Sequence, residues 1–245
     1  MIGVTFDFGQ TLAKLDSRLL AERLAERGVV LDAADADRES AAAWQAYNQA
    51  KRAGGAGSRV WAVLMRTLLS GAGAPPNRIE ELVDWLWSEQ PKRNLWRRPI
   101  PGMVELAREL REAGVAVGVL SNSEGRLAEL ISELGWGRVF QVVVDSGRLP
   151  FEKPDPRIFE HAAAALGVSL DALIHVGDAW EADVRGALGV GARAIYFGDE
   201  PRECHSDRLA TCADAAAVRA TLAWWGVLGP QSAVQVSDPA SSEIS

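Results

Sequence analysis

Residues 2–6, Ile-Gly-Val-Thr-Phe, form a short apolar run containing β-branched side chains, and the run stops at Asp7 before a glycine-containing turn. This pattern predicts a buried strand. From about Leu15 to Arg98 the periodicity changes. Apolar residues recur at three- and four-residue steps, as at Leu20 and Leu24 and at Val60, Leu64 and Leu68, which is the spacing of amphipathic helices. Glycine and proline punctuate the stretch near Gly28, around Gly54-Gly55-Ala56-Gly57 and from Gly71 to Pro76, so four helices are predicted.

Beyond Pro99 helical and strand patterns alternate. Predicted helices span Gly102 to Ala113, Arg126 to Leu134, Pro156 to Leu166 and Glu181 to Leu188. Predicted strands span Val115 to Leu120, Gln141 to Val144, Leu173 to Val176 and Ala192 to Tyr196. Such alternation specifies an α/β fold with a parallel sheet covered on both faces. The first strand has no other partner and must join this sheet, which makes residues 15–98 a helical insertion. The expected organisation is a core of residues 1–14 and 99–228, with a last helix from Ala213 to Trp225. The Gln/Ser/Asp/Ala/Pro-rich tail, residues 229–245, has little to bury and is predicted to be disordered.

Composition narrows the function classes. The 245 residues are 48% hydrophobic and 24% charged, and the net charge of -7 argues against a general nucleic-acid or anionic-membrane binder. The amino terminus lacks a charged leader and an apolar stretch with a cleavage site, and no apolar run reaches membrane-spanning length; a cytoplasmic location is expected. Cys204 and Cys212 flank His205 without metal-ligand spacing and read as ordinary reduced thiols. Five of nine tryptophans, Trp44, Trp61, Trp85, Trp87 and Trp96, lie in the helical segment and read as packing residues. The basic cluster Lys92, Arg93, Arg97 and Arg98 reads as a solvated hinge.

In an open parallel sheet, ligands bind beyond the carboxyl ends of the strands. Polar residues fall there in this sequence: Asp7 after the first strand, Ser121-Asn122 after the second, Lys153 after the third, and Asp178 after the fourth, with Asp183 five residues on. Three carboxylates, a hydroxyl and an ammonium at one sheet edge are suited to binding a hard cation together with a phosphate.

The pieces Phe6-Asp7-Phe8-Gly9-Gln10-Thr11-Leu12, Val119-Leu120-Ser121-Asn122, Lys153-Pro154-Asp155-Pro156-Arg157-Ile158-Phe159 and His175-Val176-Gly177-Asp178, continuing to Asp183, resemble in order the motifs of the haloacid dehalogenase superfamily of hydrolases. The resemblance implies a Rossmann-like core with a helical cap inserted after the first strand. It further implies that Asp7 attacks phosphorus and forms an aspartyl-phosphate. Ser121, Asn122 and Lys153 would then bind the phosphate, and Mg2+ would be held by Asp7, the Gly9 backbone carbonyl, Asp178 and Asp183. The implied substrate is a small phosphorylated metabolite.

One position departs from the pattern. Phosphatases of the superfamily usually carry an acid/base aspartate two residues after the nucleophile, where this chain has Gly9. Gln10 can contact the leaving group or a water but is not a base. Three readings of Gly9 follow. The first is a phosphatase that uses good leaving groups or a cap donor among Glu22, Glu26, Asp84 and Glu89. The second is carbon-halogen or carbon-phosphorus cleavage, the latter requiring Lys51 as a Schiff base. The third is a silent protein that binds a phosphorylated ligand or a protein partner.

Overall fold

The computed structural model describes residues 1–55, 57–198 and 206–229. Cys204, His205 and residues 230–245 of the predicted tail lie outside the described residues. Strand β1 (Gly3–Phe6) is followed by a tight turn in which the Leu12 and Ala13 amides donate to the Phe8 carbonyl at 3.0 and 2.9 Å. Gln10 occupies the left-handed region of this turn, at φ 58°.

The turn leads into β2 (Ala13–Leu15), which pairs antiparallel with β3 (Trp96–Pro99). The hydrophobic pattern did not predict this pair, because strands of three and four residues contain too few alternations to register as a period. Between them lie α1 (Ser17–Ala25), α2 (Ala33–Arg52), α3 (Ser58–Gly71) and α4 (Ile79–Glu89). Asp16 starts α1 by accepting from the Arg18 and Leu19 amides at 3.0 and 3.1 Å. The periodic residues Leu20, Leu24, Leu64 and Leu68 join Met65, Leu82 and Leu86 in an apolar cluster separate from those of the sheet. The insertion therefore has its own core.

The remainder runs α5 (Met103–Glu112), β4 (Ala116–Ser121), α6 (Leu127–Glu133), β5 (Val142–Asp145), α7 (Pro156–Leu166), β6 (Leu173–Gly177), α8 (Gly186–Gly189), β7 (Arg193–Phe197), β8 (Leu209–Cys212) and α9 (Ala215–Trp224). Among the described residues, six strands form one parallel sheet in the order β5-β4-β1-β6-β7-β8. This is a Rossmann-like α/β arrangement with β1 near the centre. Strand alternation divides the two faces. Val4, Phe6, Val117, Val119, Ile174 and Val176 pack with α5, α6 and α9, whereas Ala116, Leu120 and Leu173 pack with α7 and α8.

Two further differences from the sequence reading are local. Strand β8 was not foreseen, since Leu209-Ala210-Thr211-Cys212 is a half-exposed edge segment without a Val/Ile run. The helix expected from Glu181 to Leu188 starts instead as a π-helical turn, Trp180–Arg185, before α8. Each member of the basic cluster has an acidic partner: Lys92 with Glu89, Arg93 with Glu26, Arg97 with Glu133 and Arg98 with Asp37. Among the described residues, no helix is long and apolar enough to cross a membrane.

Candidate active site

Because β1, β4 and β6 are adjacent and in parallel register, their carboxyl ends bring Asp7, Ser121 and Asp178 to one edge of the sheet. Lys153 enters from the segment between β5 and α7 and is 3% exposed. Its Nζ donates to Asp7 Oδ1 at 2.7 Å and to the Leu120 carbonyl at 2.7 Å, and it pairs with Asp183 Oδ1 at 2.6 Å. Asn122 fixes the backbone that carries this lysine. Its amide donates to the Lys153 carbonyl at 2.9 Å and its Oδ1 accepts from the Lys153 amide at 2.8 Å. The Asn122 side chain is thus committed to Lys153, which leaves its backbone as the part free to meet a phosphate.

Asp7, Asp178 and Asp183 each present an oxygen within 4.8 Å of the other two. One ammonium faces three carboxylates, and the imbalance shapes their acidities. Burial raises the Asp7 pKa, opposed by Lys153, and the Asp183 charge raises it further. Asp178 is pushed well above the usual carboxylate range by burial and by the charges of Asp7 and Asp183. Asp183 goes the other way despite its burial, because Lys153 and His175 stabilise its charge. A divalent cation between Asp7 and Asp178 would relieve the surplus charge, and oxygen donors are what a hard cation takes. The residues therefore fit a metal of that kind.

Both Asp183 oxygens carry contacts of their own. Oδ2 accepts the Ala179 amide at 2.8 Å, while Oδ1 meets both Lys153 and His175 Nε2, the latter at 3.1 Å. Oδ2 accepts one hydrogen bond and keeps a lone pair, so Asp183 could meet a metal there directly or through water. The π-helical turn follows from this anchoring, since Asp183 is drawn inward as its own amide donates to the Ala179 carbonyl at 2.7 Å. Gly177 makes the approach feasible. A Cβ there would lie 2.3 Å from the Asp183 carboxyl group.

Two residues that the sequence reading did not single out complete the support. Thr5 and His175 are register partners on β1 and β6, and Thr5 Oγ1 lies 2.9 Å from His175 Nδ1. Burial keeps the imidazole neutral, so with its proton on Nε2 it donates to Asp183 and accepts from Thr5. The available signal was two polar residues inside otherwise apolar strands, each two or three positions before an acidic motif residue.

Gly9 lies under an aromatic wall from the insertion. A Cβ on Gly9 would lie 3.4 Å from Trp96 Nε1. Trp96 packs edge-on to Trp44 with ring centroids 6.1 Å apart, and Trp44 packs edge-on to Tyr47 at 5.0 Å. Trp96 touches the apolar clusters of both the sheet and the insertion. Burial raises the pKa of the Tyr47 phenol, and the charges of Asp178, Asp7, Glu124 and Glu152 raise it further. Of the cap donors expected from sequence, Glu26 pairs with Arg93 and Glu89 with Lys92, while Glu22 and Asp84 are exposed, their charges acting on Arg93 and Arg66. Gln10 Oε1 is buried without a hydrogen-bond partner. The lysine beside Asp7 is Lys153; Lys51 lies near the end of α2.

A family model described as haloacid dehalogenase-like hydrolase matches residues 3–191. The chain belongs to this family. Among curated family relatives, phosphoserine phosphatase of Thermus thermophilus is 34% identical over 134 residues, covering 54% of this chain and 52% of that protein. Haloacid dehalogenase-like hydrolase domain-containing protein 3 of Mus musculus is 28% identical over 216 residues, covering 81% and 82%. The match to the Thermus enzyme, like that to an archaeal glyceraldehyde 3-phosphate phosphatase, spans about half the relative's length. A crystal structure of a dehalogenase with an intermediate complex superposes with a TM-score of 0.63 at 18% identity, covering 94% of this chain and 98% of that one. At that identity the likeness concerns the fold alone.

Proposed function

We propose that this hydrolase is a Mg2+-dependent phosphatase of a small phosphorylated metabolite, acting through an aspartyl-phosphate on Asp7. The observation that carries the reading is the pairing of the Asp7 carboxylate with the buried Lys153 ammonium at 2.7 Å, beside an acidic surplus at Asp178 and Asp183. A carboxylate is a nucleophile that needs no activating base, and a phosphoryl group brings negative charge that this lysine can neutralise. Relatives named as phosphatases support the same chemistry.

In this reading Asp7 Oδ attacks phosphorus while Lys153 and the Ser121 hydroxyl stabilise the phosphoryl oxygens. Asp183 and Asn122 hold Lys153 in place from both sides. Asp7, the Gly9 carbonyl and Asp178 would hold Mg2+, with Asp183 beside them; bound there, the metal supplies neutralising charge and orientation for the phosphoryl group. Residues 1–14 and 99–228 serve as the catalytic core, and the helical insertion, residues 15–98, as a cap that shields the reaction from water. Gly9 favours a second reading, a protein that binds a phosphorylated ligand without turnover. The test is hydrolysis of a panel of phosphomonoesters, including p-nitrophenyl phosphate, with Mg2+ or EDTA. Turnover that requires Mg2+ and is abolished in Asp7→Asn establishes the phosphatase; binding of phosphate without any turnover establishes the second reading.

A further inference from the structure

We infer that the site acts on phosphoryl groups carried by a planar leaving group that departs as a stable anion, an acyl or aryl phosphate, because the Trp96 indole stands against Gly9 where an acid would be needed. The inference rests on the phosphatase reading above and deepens it.

Three observations carry it. Gly9 has no side chain, and the space a Cβ would enter is bordered by Trp96 Nε1 at 3.4 Å and Cδ1 at 3.5 Å. An indole N–H donates a hydrogen bond but does not give up its proton. It can stabilise charge growing on a leaving oxygen without completing an alcohol. Second, of the insertion carboxylates that could substitute, Glu26 pairs with Arg93 and Glu89 with Lys92, while Glu22 and Asp84 are exposed. Third, the residues beside Gly9 are aromatic, and the charge of Asp7 reaches as far as Tyr47. Trp96 packs against both Trp44 and Trp61, at centroid distances of 6.1 and 5.4 Å, and Tyr47 lies 5.0 Å from Trp44. Flat π surfaces favour a planar group stacked or edge-on against them. Tyr47 is a poor proton donor here, since burial and the surrounding carboxylates hold its proton more tightly than usual.

The steps balance without a general acid. Asp7 Oδ forms a bond to phosphorus as the P–O bond to the leaving group breaks, and that electron pair leaves with the carboxylate or phenolate oxygen. Water then attacks the aspartyl-phosphate, and the pair of the P–O bond to Asp7 returns to the Asp7 carboxylate. Both water protons remain on the product, inorganic phosphate as H2PO4-.

The experiment compares acetyl phosphate, a series of substituted phenyl phosphates and simple alkyl phosphates, with Mg2+, for the wild type and for Gly9→Asp combined with Trp96→Phe to make room for the carboxylate. The wild type should lose kcat/KM steeply as the leaving group becomes more basic, with alkyl phosphates on the order of 10³-fold below acetyl phosphate. The double variant should flatten that dependence and gain on alkyl phosphates by about 10²-fold. Wild-type turnover of alkyl and aryl phosphates within tenfold of each other overturns the inference while leaving the phosphatase intact, and Tyr47→Phe and Glu124→Gln then show which group supplies the proton. Failure to turn over any of the substrates, acetyl phosphate included, removes the phosphatase reading and this inference together.

Discussion

Asp183 and Lys153 form a 2.6 Å ion pair in which the side chains are only 1% and 2% exposed. Each is joined to a second part of the site, Lys153 to Asp7 and Asp183 to the Ala179 amide. The pair therefore ties the strand end that carries the nucleophile to the loop that carries Asp178. Desolvation offsets much of its Coulombic gain, so its consequence is positional: it fixes one geometry for three loops.

Removing one partner should reveal this. Asp183→Asn removes one of the two ion-pair partners of the buried Lys153, leaving the pair with Asp7, and weakens the tie to the Ala179 loop. The expected loss of stability is about 3 kcal/mol, the scale for breaking a buried pair. Urea unfolding of the two proteins measures it, and a change under about 0.5 kcal/mol would show that water reaches the site.

Gly177→Ala tests the close approach beneath Asp183. With a Cβ 2.3 Å from the carboxyl group, Asp183 must withdraw from Lys153 or the loop must shift. A destabilisation of about 1–3 kcal/mol is expected, together with a fall in turnover. An alanine variant with unchanged unfolding midpoint and unchanged kcat would refute the packing argument.

Mg2+ should raise the melting temperature of the wild type in proportion to the logarithm of its concentration, because it binds the folded acidic cluster alone. Asp178→Asn should lose most of this response. The wild-type effect should weaken on acidification, since protons compete for Asp7 and Asp178, both of which burial shifts upward. Differential scanning fluorimetry at two pH values is sufficient; equal shifts in wild type and Asp178→Asn would place the metal elsewhere.

The cap of α7 gives a pH dependence of opposite origin. Asp155 accepts from the Arg157 amide at 3.0 Å and pairs with its guanidinium at 2.6 Å, which lowers its pKa from 3.8 to about 2. A depressed folded-state value means that the contribution is complete above the unfolded pKa and disappears as pH falls through the folded one. The stability gap between wild type and Asp155→Ala should be present at neutral pH and narrow from about pH 4 toward about pH 2. A gap that is constant down to pH 3 contradicts the assignment.

Much of this molecule is determined by local sequence. The apolar run Ile2 to Phe6, the three- and four-residue spacing at Leu20, Leu24, Leu64 and Leu68, and the alternation after Pro99 specify a parallel α/β sheet interrupted by helices. Motif order places Asp7, Ser121, Lys153, Asp178 and Asp183 after successive elements, and strand parallelism then brings them to one edge. Local pattern does not encode pairing across long separations. The β2–β3 pair joins residues some eighty positions apart through strands too short to show a period, and β8 is an edge whose identity depends on its neighbour β7. The same limit applies to the site. That the Asp183 oxygens meet Lys153, His175 and Ala179, and that Trp96 stands against Gly9, depends on contacts between residues 4 to 87 positions apart. Sequence supplied the groups; only the packing of the insertion against the sheet edge decided which of them can meet.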